Sequence, residues 1–157
     1  KQLDIVVASI HSGFKQDREQ LTKRLISAVN NPYVTVIAHP TGRLIGERDA
    51  YDIDMERVLK TAAEKGRAIE INAYPLRLDI NDIYAKRAKE VGVPIAISTD
   101  THITSQFDYM RYGVSTARRG WLEKNDIINA YSIENLIKWI KKSRSTRGQH
   151  ERKDTGL

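Results

Sequence analysis

Ile95-Ala96-Ile97-Ser98-Thr99-Asp100-Thr101-His102 is a short, largely apolar run that ends on a carboxylate and an imidazole two positions apart. A bounded run of this length reads as a buried strand, and parallel strands, covered on both faces, read as continuous apolar runs rather than alternating ones. The same layout occurs twice upstream. Val34-Thr35-Val36-Ile37-Ala38 runs into His39, and Ile5-Val6-Val7-Ala8-Ser9-Ile10 runs into His11. A further run carries Glu70 and Asn72 at its end. His11 to His39 is 28 positions, His39 to Glu70 is 31, and Glu70 to Asp100 is 30. A βα unit takes about thirty residues, so each interval should hold one helix.

The intervals contain the expected helices. Asp17 can cap a helix whose Leu21, Leu25, Ile26 and Val29 share a face, with Asn30-Asn31-Pro32 as its stop. Met55, Val58, Leu59 and Ala62 follow the i, i+3, i+4, i+7 spacing, and Gly66 ends that helix. Asn81 or Asp82 opens a third helix bearing Tyr84, Ala85, Ala88 and Val91, closed by Gly92, and Pro94 stands where a strand tolerates it, at the start. Past His102 the rhythm breaks. Residues 105–120 predict a short helix followed by a loop. Ser132 caps a last helix with Ile133, Leu136, Ile137 and Ile140 on one side, and Trp121 and Trp139 read as packing residues.

Four βα units plus a C-terminal helix make an α/β fold, either part of a barrel or an open doubly wound sheet. Four strands are too few to close a barrel. Lys1 leads straight into the first strand, so the expectation is the C-terminal portion of something longer. Residues 1–142 form the domain. Residues 143–157 have no apolar residue before Leu157 and are expected to be a disordered basic tail.

At 157 residues, with 40% hydrophobic and 29% charged residues, the chain can bury a core. No run approaches the ~20 apolar residues of a membrane helix, and the absence of cysteine removes disulfides, thiolate catalysis and zinc–sulfur sites together. A cytoplasmic protein without membrane contact fits. The net charge of +6 is concentrated in the last 17 residues, which hold +4 of it. A basic tail of that kind is more often a solvated terminus than a nucleic-acid arm.

Chemistry in parallel α/β folds collects at the carboxyl ends of the strands, where His11, His39, Asp100 and His102 all stand. In extended backbone, residues i and i+2 point the same way, so Asp100 and His102 would face one cavity. Imidazoles with a carboxylate suit Zn²⁺, Mn²⁺ or Fe²⁺, whereas the plainer reading has Asp100 orienting His102 or capping the next helix. Glu70 and Asn72 could fix the histidine rings or anchor a loop. Arg43, after His39-Pro40-Thr41-Gly42, could hold a phosphate with both prongs or sit in a surface ion pair. Lys15, beside His11, could reach an anion. Tyr74, Tyr109 and Tyr112 could stack on bases or serve as rim packing. Nucleophile-elbow, phosphate-loop and dinucleotide motifs do not occur.

Ala8-Ser9-Ile10-His11-Ser12-Gly13-Phe14, Ala38-His39-Pro40-Thr41-Gly42-Arg43-Leu44, Glu70-Ile71-Asn72-Ala73 and Ser98-Thr99-Asp100-Thr101-His102 together resemble successive motifs of the polymerase-and-histidinol-phosphatase (PHP) domain. The version matched is the one at the C-terminus of bacterial and archaeal family X DNA polymerases. Arg111-Tyr112-Gly113-Val114 and Thr116-Ala117-Arg118-Arg119-Gly120-Trp121-Leu122 resemble that polymerase group in particular. The resemblance covers roughly residues 3–142. It implies part of a distorted (β/α)7 TIM-like barrel and a metal-dependent phosphoesterase acting on DNA 3′ ends as a 3′–5′ exonuclease or end-repair activity. It further implies up to three divalent ions in the complete domain, Mn²⁺ or Zn²⁺, and fewer here. By motif match His11 and His39 would share one ion, and Asp100 and His102 would serve the other two. Glu70 and Asn72 match a recurrent segment outside the ligand set. The family's opening His-x-His motif, its next histidine and its bridging glutamate have no counterpart before His11. Two alternatives accompany this reading: a histidinol-phosphate-type monophosphatase, and a non-catalytic structural or DNA-holding module.

Overall fold

In the computed structural model, which describes residues 3–145, four short parallel strands lie side by side in chain order. They are β1 (Val7–Ala8), β2 (Val36–Ile37), β3 (Ala68–Asn72) and β4 (Ile95–Ser98). Val7 pairs with Val36, Ile37 with Ile69, and Glu70 and Asn72 with Ala96 and Ser98. Neighbours in sequence are thus neighbours in the sheet. That is the order of a singly wound wall, not of a doubly wound sheet, whose order reverses at a switch point.

The helices begin and end where their caps dictate. α1 (Arg18–Asn30) starts on Asp17, whose carboxylate accepts the Gln20 N–H while Gln20 reaches back, a complete capping box. α2 (Met55–Lys65) starts on Asp54, and α3 (Asp82–Val91) on Asn81. Gly66 and Gly92 close α2 and α3 in the left-handed conformation. The faces expected from spacing are the buried ones: Leu21, Leu25 and Val29 on α1, Met55, Val58, Leu59 and Ala62 on α2, Ala85 and Ala88 on α3. They pack with Ile37, Ile69, Ile71, Ile95 and Ile97 in one core.

The alternate strand residues Val36, Ala68 and Ala96 face the other way and meet Ile128, Tyr131, Leu136 and Trp139. This second, smaller layer is supplied by α5 (Ile133–Ser145) and the turns before it. Arg67 bolts it on: its buried guanidinium donates to the carbonyls of Val29 in α1 and Ser143 in α5.

Four expectations change here. Residues 105–120 are helical nearly throughout, a 3-10 segment (Thr104–Tyr109) running into α4 (Met110–Arg119). The reason is Gly113: a β-carbon there would lie 2.5 Å from Ile97 Cγ2, so only glycine lets α4 press onto the sheet. On α5 the buried side is Leu136, Trp139, Ile140 and Ser143, whereas Ile133 and Ile137 are exposed. Trp121 is 74% exposed and packs no core. The helix also continues to Ser145, so the expected tail does not begin at 143; its remainder, 146–157, lies outside the described residues. Among the described residues no helix is long and apolar enough to cross a membrane.

Candidate metal centre

Parallel strands in one sheet deliver their carboxyl ends to one rim. His11 follows β1, His39 follows β2, Glu70 and Asn72 end β3, and Asp100 and His102 follow β4. The rings of His11 and His39 meet edge to face, 5.5 Å between centroids and 75° between planes. His39 is buried and His11 is exposed. Asp100 lies close enough to His39 for its charge to act on the imidazole.

Each candidate ligand but one has a local partner. Ser9 Oγ is 2.6 Å from His11 Nε2, Arg77 Nε is 3.3 Å from Asp100 Oδ2, and His102 Nδ1 turns to the Asp100 carbonyl at 2.7 Å. His39 Nδ1 is the exception, buried with no hydrogen-bond partner. A buried polar atom left so costs on the order of 1–3 kcal/mol. Among the described residues no three His, Asp or Glu side chains approach closely enough to form a ready metal cage. The rim therefore fits a divalent ion by its donor chemistry and by the orphaned nitrogen of His39, but it holds its other donors on protein partners.

The backbone around these groups is bent out of its ordinary wells. His39 has φ +30°, Leu78 +43° and Asp100 +53°. Left-handed φ at a non-glycine residue is uncommon and costs on the order of 1 kcal/mol or more. Buried hydrogen bonds hold the bends. Glu70 Oε2 accepts the His39 N–H at 2.7 Å and the Asn72 amide at 3.3 Å, while Ser98 Oγ donates to Glu70 Oε1. Glu70 and Asn72 thus fix the main chain of His39 instead of its ring. Burial pushes Glu70 above the ordinary carboxylate range, against the pull of these donors. Burial, reinforced by the Arg77 guanidinium, pulls His39 below the ordinary imidazole range.

Asp79 was not legible as a site residue, yet it is the most deeply set carboxylate of the rim. Its Oδ2 accepts the N–H groups of Thr41 (3.0 Å) and Gly42 (2.9 Å), pinning the loop after His39. Burial pushes it up to about 7, against these hydrogen bonds and the nearby Arg43. The signal available in the sequence was the alternation Leu76-Arg77-Leu78-Asp79-Ile80, a strand-like pattern that ends in the Asn72–Asp79 bridge. Arg43 has Nε on the Arg77 carbonyl at 2.5 Å and Nη2 on the Leu78 carbonyl, so the two-pronged grip expected of it is already taken. Arg77 is the guanidinium that stands at Asp100. Lys15 is exposed in the loop between β1 and α1. Thr41 Oγ1 and Tyr51 Oη are further buried atoms without a partner in this region. The Tyr51 ring packs so closely on Gly42 that a β-carbon there would lie 2.0 Å from it.

No family model matches the chain. It is, however, 42% identical over 142 residues to the "DNA polymerase/3′-5′ exonuclease PolX" of Bacillus subtilis, a match that covers 90% of this chain and 25% of that protein. It is 42% identical over 121 residues to a probable phosphatase of Caldanaerobacter subterraneus, covering 71% of this chain and 44% of that one. A probable phosphatase of a Thermoanaerobacter species is 32% identical over 161 residues, 96% of this chain and 63% of its own length. The chain spans a quarter to under two thirds of these curated relatives. The chain matches the C-terminal region of PolX, a quarter of that protein's length, and is similar as well to parts of probable phosphatases.

Proposed function

We propose that this chain is one wall of a PHP barrel and supplies part of a divalent-metal phosphoesterase centre that hydrolyses DNA phosphodiesters at 3′ ends. The observation that carries the reading is His39: a strand-end imidazole, buried, held in a strained backbone by Glu70, with Nδ1 unpartnered and the His11 ring against it. His11 and His39 would hold one ion, while Asp100 and His102 would contribute to others once Asp100 parts from Arg77. Mn²⁺ suits this nitrogen–oxygen donor set, as does Zn²⁺. A divalent ion bound at such a rim supplies Lewis acidity and a water of lowered pKa for attack on phosphorus.

The chain's own groups do the rest. Glu70 orients His39 through its main chain. Burial keeps that imidazole neutral, the form that can ligate. Arg77, released from Asp100, is placed to take a phosphate oxygen, a role expected earlier of Arg43 and Lys15. The remaining ligands of the complete domain come from outside this sequence.

The names of the phosphatase relatives favour a second reading, a monoesterase on the same scaffold. One assay separates the two. With Mn²⁺ present, release of 3′-terminal nucleotides from a single-stranded oligodeoxynucleotide by the polymerase that contains this domain, lost in His39→Ala, supports the diesterase. Hydrolysis of small phosphate monoesters with intact DNA supports the monoesterase. Activity unaffected by His39→Ala overturns both.

A further inference from the structure

Three tyrosines outside the candidate centre form a continuous line. Tyr74, two residues beyond Asn72 at the rim, meets Tyr109 edge to face at 5.7 Å between centroids, and Tyr109 meets Tyr112 at 6.2 Å. Arg111 lies 4.8 Å over the Tyr112 ring, with Nη2 donating to that phenol at 2.9 Å. The line starts where the centre ends. The Tyr74 N–H donates to Asn72 Oδ1, and Asn72 in turn donates to the Glu70 carboxylate that accepts the His39 N–H. At its other end it rises onto α4, where Tyr112 is 36% exposed, with Phe107, 64% exposed, in the 3-10 segment before it.

We propose that this tyrosine line is the track on which a single DNA strand stacks as it enters the rim. Successive aromatic faces beside a guanidinium are what a sequence-tolerant single-strand site uses: rings for the bases, cations for the backbone. The surrounding charge agrees. Residues 103–120 carry Arg111 and Arg118 against Asp108, while Arg119 is paired with Asp82 at 3.0 Å. Tyr74 and Tyr109 are half-buried and Tyr112 is exposed, so ring surface remains open along the line. The inference deepens the diesterase reading by assigning the substrate's path. Its binding component does not depend on metal.

The test is fluorescence anisotropy of a labelled oligodeoxythymidine with the 157-residue chain in a chelator, over a series of salt concentrations. Tyr112→Leu, which keeps bulk and removes the aromatic face, is expected to weaken binding about tenfold at every salt concentration and leave the salt slope unchanged, because stacking and counterion release are separate contributions. Tyr112→Phe should bind within about twofold of the parent, since the ring face survives. If Tyr112→Leu loses helix by circular dichroism, Tyr109→Leu decides in its place. Parent-like binding by the leucine variant overturns the proposal, as does failure of the parent chain to bind the oligonucleotide. Self-association of the parent that the same variant abolishes also overturns it, since the line would then be a protein contact. Mn²⁺ binding measured on the same proteins after the chelator has been removed keeps the two readings apart. A parent that binds DNA through the tyrosines but takes up no Mn²⁺ contradicts the proposed function and leaves the track standing.

Discussion

Asp79→Asn should change how stability depends on pH more than any other single substitution at the rim. Both main-chain donors, from Thr41 and Gly42, converge on Oδ2 at 3.0 and 2.9 Å, so an asparagine carbonyl placed there accepts both and the loop stays pinned. What the substitution removes is the charge. Asp79 is pushed from its ordinary 3.8 to about 7; at 1.36 kcal/mol per pKa unit, ionising it inside the fold costs about 4 kcal/mol more than in the open chain. Between those two pH values the folded state holds a proton that the unfolded state has released. Its contribution to stability is therefore full below about pH 4 and lost as pH rises towards 7. Urea unfolding of parent and variant at pH 4.5, 5.5, 6.5 and 8 reads this directly, as settings of the buffer and not of the protein. The variant should gain on the parent steadily over that series, by about 3 kcal/mol at pH 8 relative to pH 4.5, since about 1 of the 4 kcal/mol is already lost by pH 4.5. Parallel stability profiles would refute the reasoning, because they would mean that Asp79 is ionised as easily inside the fold as outside it.

Two loop glycines give a second, sharper contrast. Gly42→Ala would drive a β-carbon to 2.0 Å from the Tyr51 ring at φ +61°, whereas Gly46, at φ +82°, has nothing within 4 Å of that position. Gly46→Ala should cost only the backbone penalty of about 1 kcal/mol, and Gly42→Ala several times as much, seen as the larger fall in Tm. Glu70→Ala leaves the His39 N–H buried without its acceptor, for a loss of about 1–3 kcal/mol in chemical denaturation. The same variant should bind Mn²⁺ about 10- to 100-fold more weakly by titration calorimetry, because the main chain that aims His39 is released. A Glu70→Ala protein with parent-like stability would show that the hydrogen bond does not hold the strained turn.

The regular elements were legible because each is decided locally. Asp17 and Asn81 announce helix starts, Gly66 and Gly92 announce stops, and the apolar spacing of Met55, Val58, Leu59 and Ala62 fixes which face turns inward. The strand runs also placed the four candidate ligands on one rim, since parallel strands share a direction. Long-range fits were not legible. The extent of α4 depends on Gly113 meeting Ile97 across the fold. Which side of α5 is buried depends on Arg67, just before β3, reaching the Ser143 carbonyl across the fold. Asp79 and Arg77 lie in a segment without helical period, and their roles arise only when that segment folds back along β3 through the Asn72–Asp79 bridge. Arg43 looked free in the sequence because the carbonyls that engage it, of Arg77 and Leu78, are more than thirty residues away.

The His11–His39 pair is the proposed metal-binding corner of the rim. Its most direct test is a crystal of the chain soaked in Mn²⁺ and measured for anomalous scattering, with His39→Ala treated identically. A Mn²⁺ peak is expected bonded to one ring nitrogen of each histidine, at roughly 2.0–2.3 Å as imidazole coordination requires, with no peak there in the variant. A peak located away from both rings, or an unaltered peak in His39→Ala, would contradict it.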